Sequence, residues 1–298
     1  MSEINGLFLK GDVESIKKKV NGYVTPSGGL LSYVYLLIGI LLSAVWLFPL
    51  YWLVRLTLEW PATGLLGRTP SLQIDSVTVY NFIRIIYEVE FLTFLTNSVI
   101  ITLLAVVGTV IFNSLAAYAL TFDFPGRKLF MGIFVSSMFI PIYITIVPGF
   151  IITRELGLLN THLGVALPLA GSVIGTLILY ASFQSIPSSV IESARLDGAS
   201  ELYILFGILW PMSSAALATN VILAFIRSWN AFLWPLMIVT ERDVYTLPLG
   251  LANYNANYGG SPALQYAFAV LVLLPVVITF LFLQKYFIRG VVQSAIKE

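Results

Sequence analysis

Cysteine is absent from the 298 residues, and histidine occurs once, as His162. The first absence excludes a disulfide frame, a thiol nucleophile and a cysteine-based metal site, and it fits either redox compartment. The second removes most histidine-based catalysis; His162 reads as a loop residue near a membrane surface. A Gly-x-x-x-x-Gly-Lys-Ser/Thr phosphate loop is also missing, so nucleotide phosphates are not held by this chain in that way. Charge is scarce as well: Asp, Glu, Lys and Arg make up 10% of the residues, against about 25% in soluble domains. The formal net charge of +1 points to no acidic partner.

What is present is apolar. Hydrophobic residues make up 58% and the mean hydropathy is +0.90, values that exclude an ordinary soluble globular domain. Six runs are long enough to cross a hydrocarbon core of about 30 Å at about 1.5 Å per helical residue. They lie near Leu30–Leu58, Phe91–Leu120, Leu129–Ile152, Val165–Phe183, Met212–Val239 and Ala267–Phe287. Only helices or closed barrels satisfy their backbone in lipid, and these runs are too long for barrel strands. The fold class is therefore all-α, a polytopic membrane protein with six transmembrane helices.

Lysine and arginine placement sets the expected orientation. One alternating set of segments holds ten of the sixteen basic residues: Lys10, Lys17, Lys18, Lys19, Arg127, Lys128, Arg195, Lys285, Arg289 and Lys297. The other set holds five, and Arg227 falls inside a span. Both termini and the connection between spans four and five are thus expected on the cytoplasmic side. Residues 1–29 read as a cytoplasmic tail, not a cleaved signal. Residues 30–289 form the membrane domain, and 290–298 a second cytoplasmic tail. Segment Pro61–Glu90 contains several turn formers and reads as a small external lobe.

The connection at 187–211 is the most informative stretch. Ser189 with Glu192 three residues later fits a capping box. Gly198 suits a left-handed helix stop. Ser200 caps a second short helix with Glu201 in its first turn, and Pro211 calls for a break or kink. An amphipathic surface loop is the plain alternative.

The order Glu192-Ser193-Ala194, then Asp197-Gly198-Ala199, then Pro211 before a further apolar span resembles the "EAA" motif of ABC importer permeases. Ser193 stands where that family usually has Ala, a small-for-small change. Further blocks resemble the family's carbohydrate, MalG-like branch: Phe124–Arg127, Leu156–Thr161, Trp229–Pro235, Thr246–Gly250 and Gln284–Lys297. The likeness covers nearly everything from Leu30 to Glu298. It implies a type I importer permease whose 187–211 segment is a cytoplasmic coupling helix docking on a separate ATPase. Glu192, Ser193, Ala194, Asp197, Gly198, Ala199, Leu202, Phe206 and Pro211 are the implied coupling residues. Leu202–Leu209 would supply the apolar face.

Two readings remain for the proline-rich third span, where Pro141 and Pro148 enclose Tyr143: a packing kink, or a bend bordering the substrate path. Arg227 similarly snorkels or makes a structural contact, or lines the path with Trp229 and Asn230. Relatives commonly have Asp after the Trp-Asn pair, where this chain has Ala231, so that carboxylate's role does not carry over. In the outer loop, Asn253, Tyr254, Asn255 and Tyr258 suit sugar or binding-protein contact, or an ordinary exposed loop.

The implied function is the transmembrane permease subunit of a binding-protein-dependent ABC importer, moving a sugar across the cytoplasmic membrane by alternating access. Expected partners are a sister permease in a heterodimer, a cytoplasmic ATPase dimer and an extracytoplasmic solute-binding protein. No cofactor is expected on this chain; ATP and Mg belong to the ATPase, and the chain is not itself an enzyme. The alternatives are a non-sugar solute in the same superfamily, or a stand-alone secondary transporter. Against the latter, the spans carry no Asp or Glu at central depth. Paired intramembrane carboxylates that would suggest an enzyme are missing too.

Overall fold

A computed structural model describes residues 30–58, 77–257 and 262–295. The chain divides into two units, residues 1–56 and 57–298. The first consists, in its described part, of most of helix α1 (Leu30–Leu58), an apolar rod with Pro49 inside it. Near its end the Arg55 guanidinium lies 4.9 Å from the centre of the Trp52 ring.

The second unit is built around α3 (Phe91–Ala119). At 29 residues it is about 43 Å long, more than a bilayer core requires. Its buried residues include Asn97, Ile101, Ala105, Thr109, Asn113 and Ala117, every fourth residue, a stripe that winds slowly around the helix. Ala105, Thr109 and Ala117 are small, so neighbouring backbones come close there. A Cβ added at Gly108 would lie 2.7 Å from the Ala170 Cβ.

Against α3 pack two helices that define the remaining geometry, α7 (Val173–Gln184) and α10 (Ser214–Trp229). The last long helix, α13 (Pro262–Ala295), packs on α10 and on the short α2 (Tyr80–Glu88). It runs on into the stretch read as a tail from residue 290.

Among the described residues three helices are long and apolar enough to cross a membrane, rising to six spans where each of three bent helix pairs counts as one. Span three was expected to kink or bend at its prolines. It consists of α4 (Arg127–Ser136) with a 3-10 turn, and α5 (Ile142–Glu155), bent by 101°. Pro141 is the cause: it sits extended at the N-cap of α5, and the residue before a proline is pushed out of the helical region. Span four joins α6 (His162–Ala166), followed by a 3-10 turn to Leu169, to α7 at 52°. Span five departs from the expected 212–239 helix. It stops at Trp229, and a separate α11 (Leu233–Ile238) follows.

Two stretches read as loops contain helices. In α2, Phe82, Ile85 and Ile86 pack with the apolar core. In the connection after span five, α12 (Leu247–Asn257) is anchored where the Leu247 amide donates to Ser98 Oγ at 2.8 Å.

Candidate functional site

The connection between spans four and five is two helices meeting at a hinge: α8 (Ser188–Leu196) and α9 (Glu201–Met212). Pro187 occupies the N-cap of α8, and no side chain caps it. The Ser189–Glu192 capping box is thus not formed. Pro187 itself makes the extended-to-helix turn at φ −57°, which draws Ser189 into the first turn, beyond cap position. At the hinge, Gly198 is left-handed at φ +82°, and its amide closes α8 by donating to the Arg195 carbonyl at 3.0 Å. Ser200 caps α9, its Oγ accepting from the Tyr203 amide at 3.3 Å.

α9 widens into a π-helical turn over Ile204–Leu209. Such a turn carries an extra residue and rotates the following side chains. Pro211 follows, and after Ser213 the chain bends by 90° into α10. The break expected at Pro211 is therefore spread over the π turn, the proline and Ser213.

The segment has two faces. Ile204, Leu205 and Leu209 are buried with Ala117, Tyr118, Leu179 and Phe183, and Ile191, Ala194 and Ala199 pack against that cluster. Ala194 and Ala199 are where a larger side chain would hold the helices apart. The outer face carries Glu192, Ser193, Asp197 and Gly198, all exposed. Beside them lie Leu196 at 89% exposure, Leu202 and Tyr203 at 61%, and Phe206. The expected apolar face at 202–209 is therefore divided: Leu202 and Phe206 point out, while Ile204, Leu205 and Leu209 point in.

Sequence reasoning missed one feature here. Arg195 grips Glu201 with two bonds, Nε to Oε1 at 2.9 Å and Nη2 to Oε2 at 3.1 Å. Tyr118, at the end of α3, donates its hydroxyl to the same carboxylate. The Arg195 fork, then the Tyr118 hydroxyl, hold the Glu201 carboxyl below its ordinary value. The six-residue spacing of Arg195 and Glu201 across a glycine hinge was a usable signal, whereas Tyr118 lies too far along the chain to give one.

The candidate path residues do not form one cluster. Tyr143 is 74% exposed on α5. Trp229 is buried, stacked on Phe225 at 5.6 Å, with Nε1 donating to the Val272 carbonyl at 3.2 Å. Asn230 is exposed and donates to the Ile226 carbonyl at 2.8 Å. Arg227 makes the structural contact, donating to the Gly171 carbonyl at 2.6 Å and to the Leu169 carbonyl, the two flanking the break in span four.

In the segment between spans five and six, Tyr254 is not on an exposed loop. It lies in α12 at 5% exposure, its ring 6.3 Å from that of Phe268, because a large aromatic on a packed helix contributes more in the core. Asn253 is half-buried on α12 and Asn255 follows on the same helix. Tyr258 lies outside the described residues. His162 begins α6, and its Nε2 lies 2.8 Å from Asn97 Oδ1. Asn97 Nδ2 in turn donates to the carbonyls of Asp243 and Tyr245, at 2.7 and 3.0 Å.

Helices α7 and α10 packed against α3, with a two-faced helical segment joining them, define a polytopic membrane protein. Residues 110–293 match the model of the binding-protein-dependent transport system inner membrane component family, and the chain belongs to that family. It is 34% identical over 272 residues to an arabinooligosaccharides transport system permease, AraQ, of Halalkalibacterium halodurans, covering 90% of this chain and 97% of the relative. An sn-glycerol-3-phosphate transport system permease, UgpE, of Pectobacterium atrosepticum is 31% identical, with 89% and 96% covered. Among solved structures it resembles a bacterial ABC transporter involved in the import of the acidic polysaccharide alginate. The TM-score is 0.74 and the identity 25%, over 88% of this chain and 99% of that one.

Proposed function

We propose that this chain is one of two permease subunits of an ATP-driven importer for a sugar or a sugar-like polyol. It sits in the cytoplasmic membrane with both termini inside, as the basic-residue bias requires. The observation that carries the reading is the outer face of the 187–211 segment. Leu196, Leu202, Tyr203 and Phe206 stand exposed beside Glu192 and Asp197 on a segment whose other face is buried. An apolar patch with an acidic rim, held on a connection outside the bilayer, is a surface for a protein partner. The phosphate loop missing from this chain belongs to that partner, an ATPase dimer.

ATPase closure would carry the coupling segment inward and, through the 90° bend into α10, tilt the spans between inward-facing and outward-facing states. A solute-binding protein delivers the solute from outside, and the sister permease completes the path. The relatives named above for arabinooligosaccharides and sn-glycerol-3-phosphate, and the alginate importer, support a carbohydrate or polyol cargo.

The test is affinity purification in mild detergent, with co-purifying proteins identified by mass spectrometry. A sister permease and a phosphate-loop ATPase are expected, the ATPase lost in L202D. A solitary protein that transports after reconstitution without ATP would overturn the proposal.

A further inference from the structure

Each half of the coupling segment contributes one charged side chain to a single contact with the membrane domain. Arg195 comes from the last turn of α8 and Glu201 begins α9, so the pair closes across the Gly198 hinge. The carboxylate that joins them also receives the hydroxyl of Tyr118 on α3. Phe122, just beyond α3, flanks the group: its ring meets Tyr118 edge-on at 4.9 Å, and the Arg195 guanidinium lies 5.3 Å from its centre.

Apart from Trp210 Nε1, which donates to Ser114 Oγ at 3.0 Å one turn before Tyr118, the neighbouring contacts between the segment and the spans are apolar, and apolar packing has no preferred direction. The two-bond Arg–carboxylate fork and the charge-assisted bond from Tyr118 are directional and short-ranged. They fix the hinge angle and the position of the segment along α3 together.

We infer that Tyr118, Glu201 and Arg195 form a transmission link that obliges the end of span two to travel with the coupling segment when the partner ATPase displaces it. Tyr118 is thus a positioning residue for transport, lying outside the coupling motif. This rests on the reading of the chain as an ATP-driven permease.

The lack of cysteine makes a direct test available. Spin labels are placed at S189C on the coupling segment and P125C beyond span two, both exposed. A second pair joins S189C to L156C, in the connection between spans three and four. Distances are measured by pulsed electron paramagnetic resonance on the importer purified with its ATPase, without nucleotide and with ATP plus vanadate.

The 189–156 distance is expected to change with nucleotide while the 189–125 distance stays constant. In Y118F, which removes one hydroxyl and keeps the ring against Phe122, the 189–125 distance should broaden and become nucleotide-dependent. E201Q should do the same, and the double variant should add nothing further. A purely structural bond would lower stability without making that distance respond to ATP. A 189–125 distance that shifts with nucleotide in the wild type, or stays fixed in both variants, overturns the link. If the 189–156 distance fails to respond in the wild type, the ATP-driven reading falls instead.

Discussion

Arg227 on α10 donates through Nη1 to the Gly171 carbonyl at 2.6 Å, at the point where span four is broken. Its Nη2 reaches the Leu169 carbonyl on the other side of the break, which Thr109 Oγ1 also approaches, at 3.2 Å. A broken helix inside a membrane leaves carbonyls without intrahelical donors, and lipid offers none. The planar guanidinium fork serves both at once, which a lysine ammonium on a flexible stem cannot match.

R227M should therefore leave the Gly171 carbonyl without its donor, at about 1–3 kcal/mol, while the Leu169 carbonyl keeps the Thr109 hydroxyl and the Gly171 amide. R227K should recover part of the loss. Thermal unfolding in detergent measures the cost, and amide exchange near Gly171 and Ser172 locates it. Unchanged melting with unchanged exchange would reject this account of the arginine.

Below the break, Asn113 and Asn220 join three spans. Asn113 Nδ2 donates to Asn220 Oδ1 at 2.9 Å, and Asn113 Oδ1 accepts from the Ser172 amide at 3.0 Å. Asn220 Nδ2 completes the group by donating to the Gly175 carbonyl at 2.7 Å. A Cβ on Gly175 would land on both asparagine amides. G175A is expected to destabilise by about 1–3 kcal/mol, the usual range for overpacking a tight core. Gly39, with nothing within 4 Å of an added Cβ, provides the control: G39A should melt like the wild type.

The Glu201 carboxyl sits below its ordinary value of 4.5 because the Arg195 fork, then Tyr118, favours the charged form. A depressed carboxyl contributes stability that is fully present above the unfolded-state value and lost as pH falls through the folded one. Both side chains are substantially exposed, so the contribution is screened by solvent and salt. Wild type and E201Q should differ most in melting temperature at neutral pH and converge as pH falls below 4.5. A difference that persists unchanged in acid would mean that Glu201 acts through shape and not charge.

Composition and run length made the membrane class and the six spans legible, because bilayer thickness sets a length that any sequence must meet. Basic-residue bias and the 187–211 punctuation located the candidate site, and Gly198 and Ser200 fold as their residue types dictate locally. The remaining features depend on contacts distant in sequence. Tyr254 reads as a loop residue until α13 is placed beside it. The break at Gly171 follows Pro168, but its partners Arg227, Thr109 and Asn113 all lie more than fifty residues away. In α2, the spacing of Phe82, Ile85 and Ile86 was a helical signal, masked by the turn formers that precede it.

Gly198 separates two ways in which a substitution could damage the hinge. Its φ of +82° is a left-handed conformation, which costs a residue with a Cβ about 1–2 kcal/mol. Yet an added Cβ would meet nothing within 4 Å. Backbone strain, not bulk, should therefore govern the outcome. G198A and G198L are expected to weaken ATPase co-purification to similar degrees, and G198N less, since asparagine tolerates the left-handed region. If G198A behaves like the wild type while G198L abolishes the complex, side-chain size at the partner surface decides instead, and the hinge geometry is not what Gly198 protects.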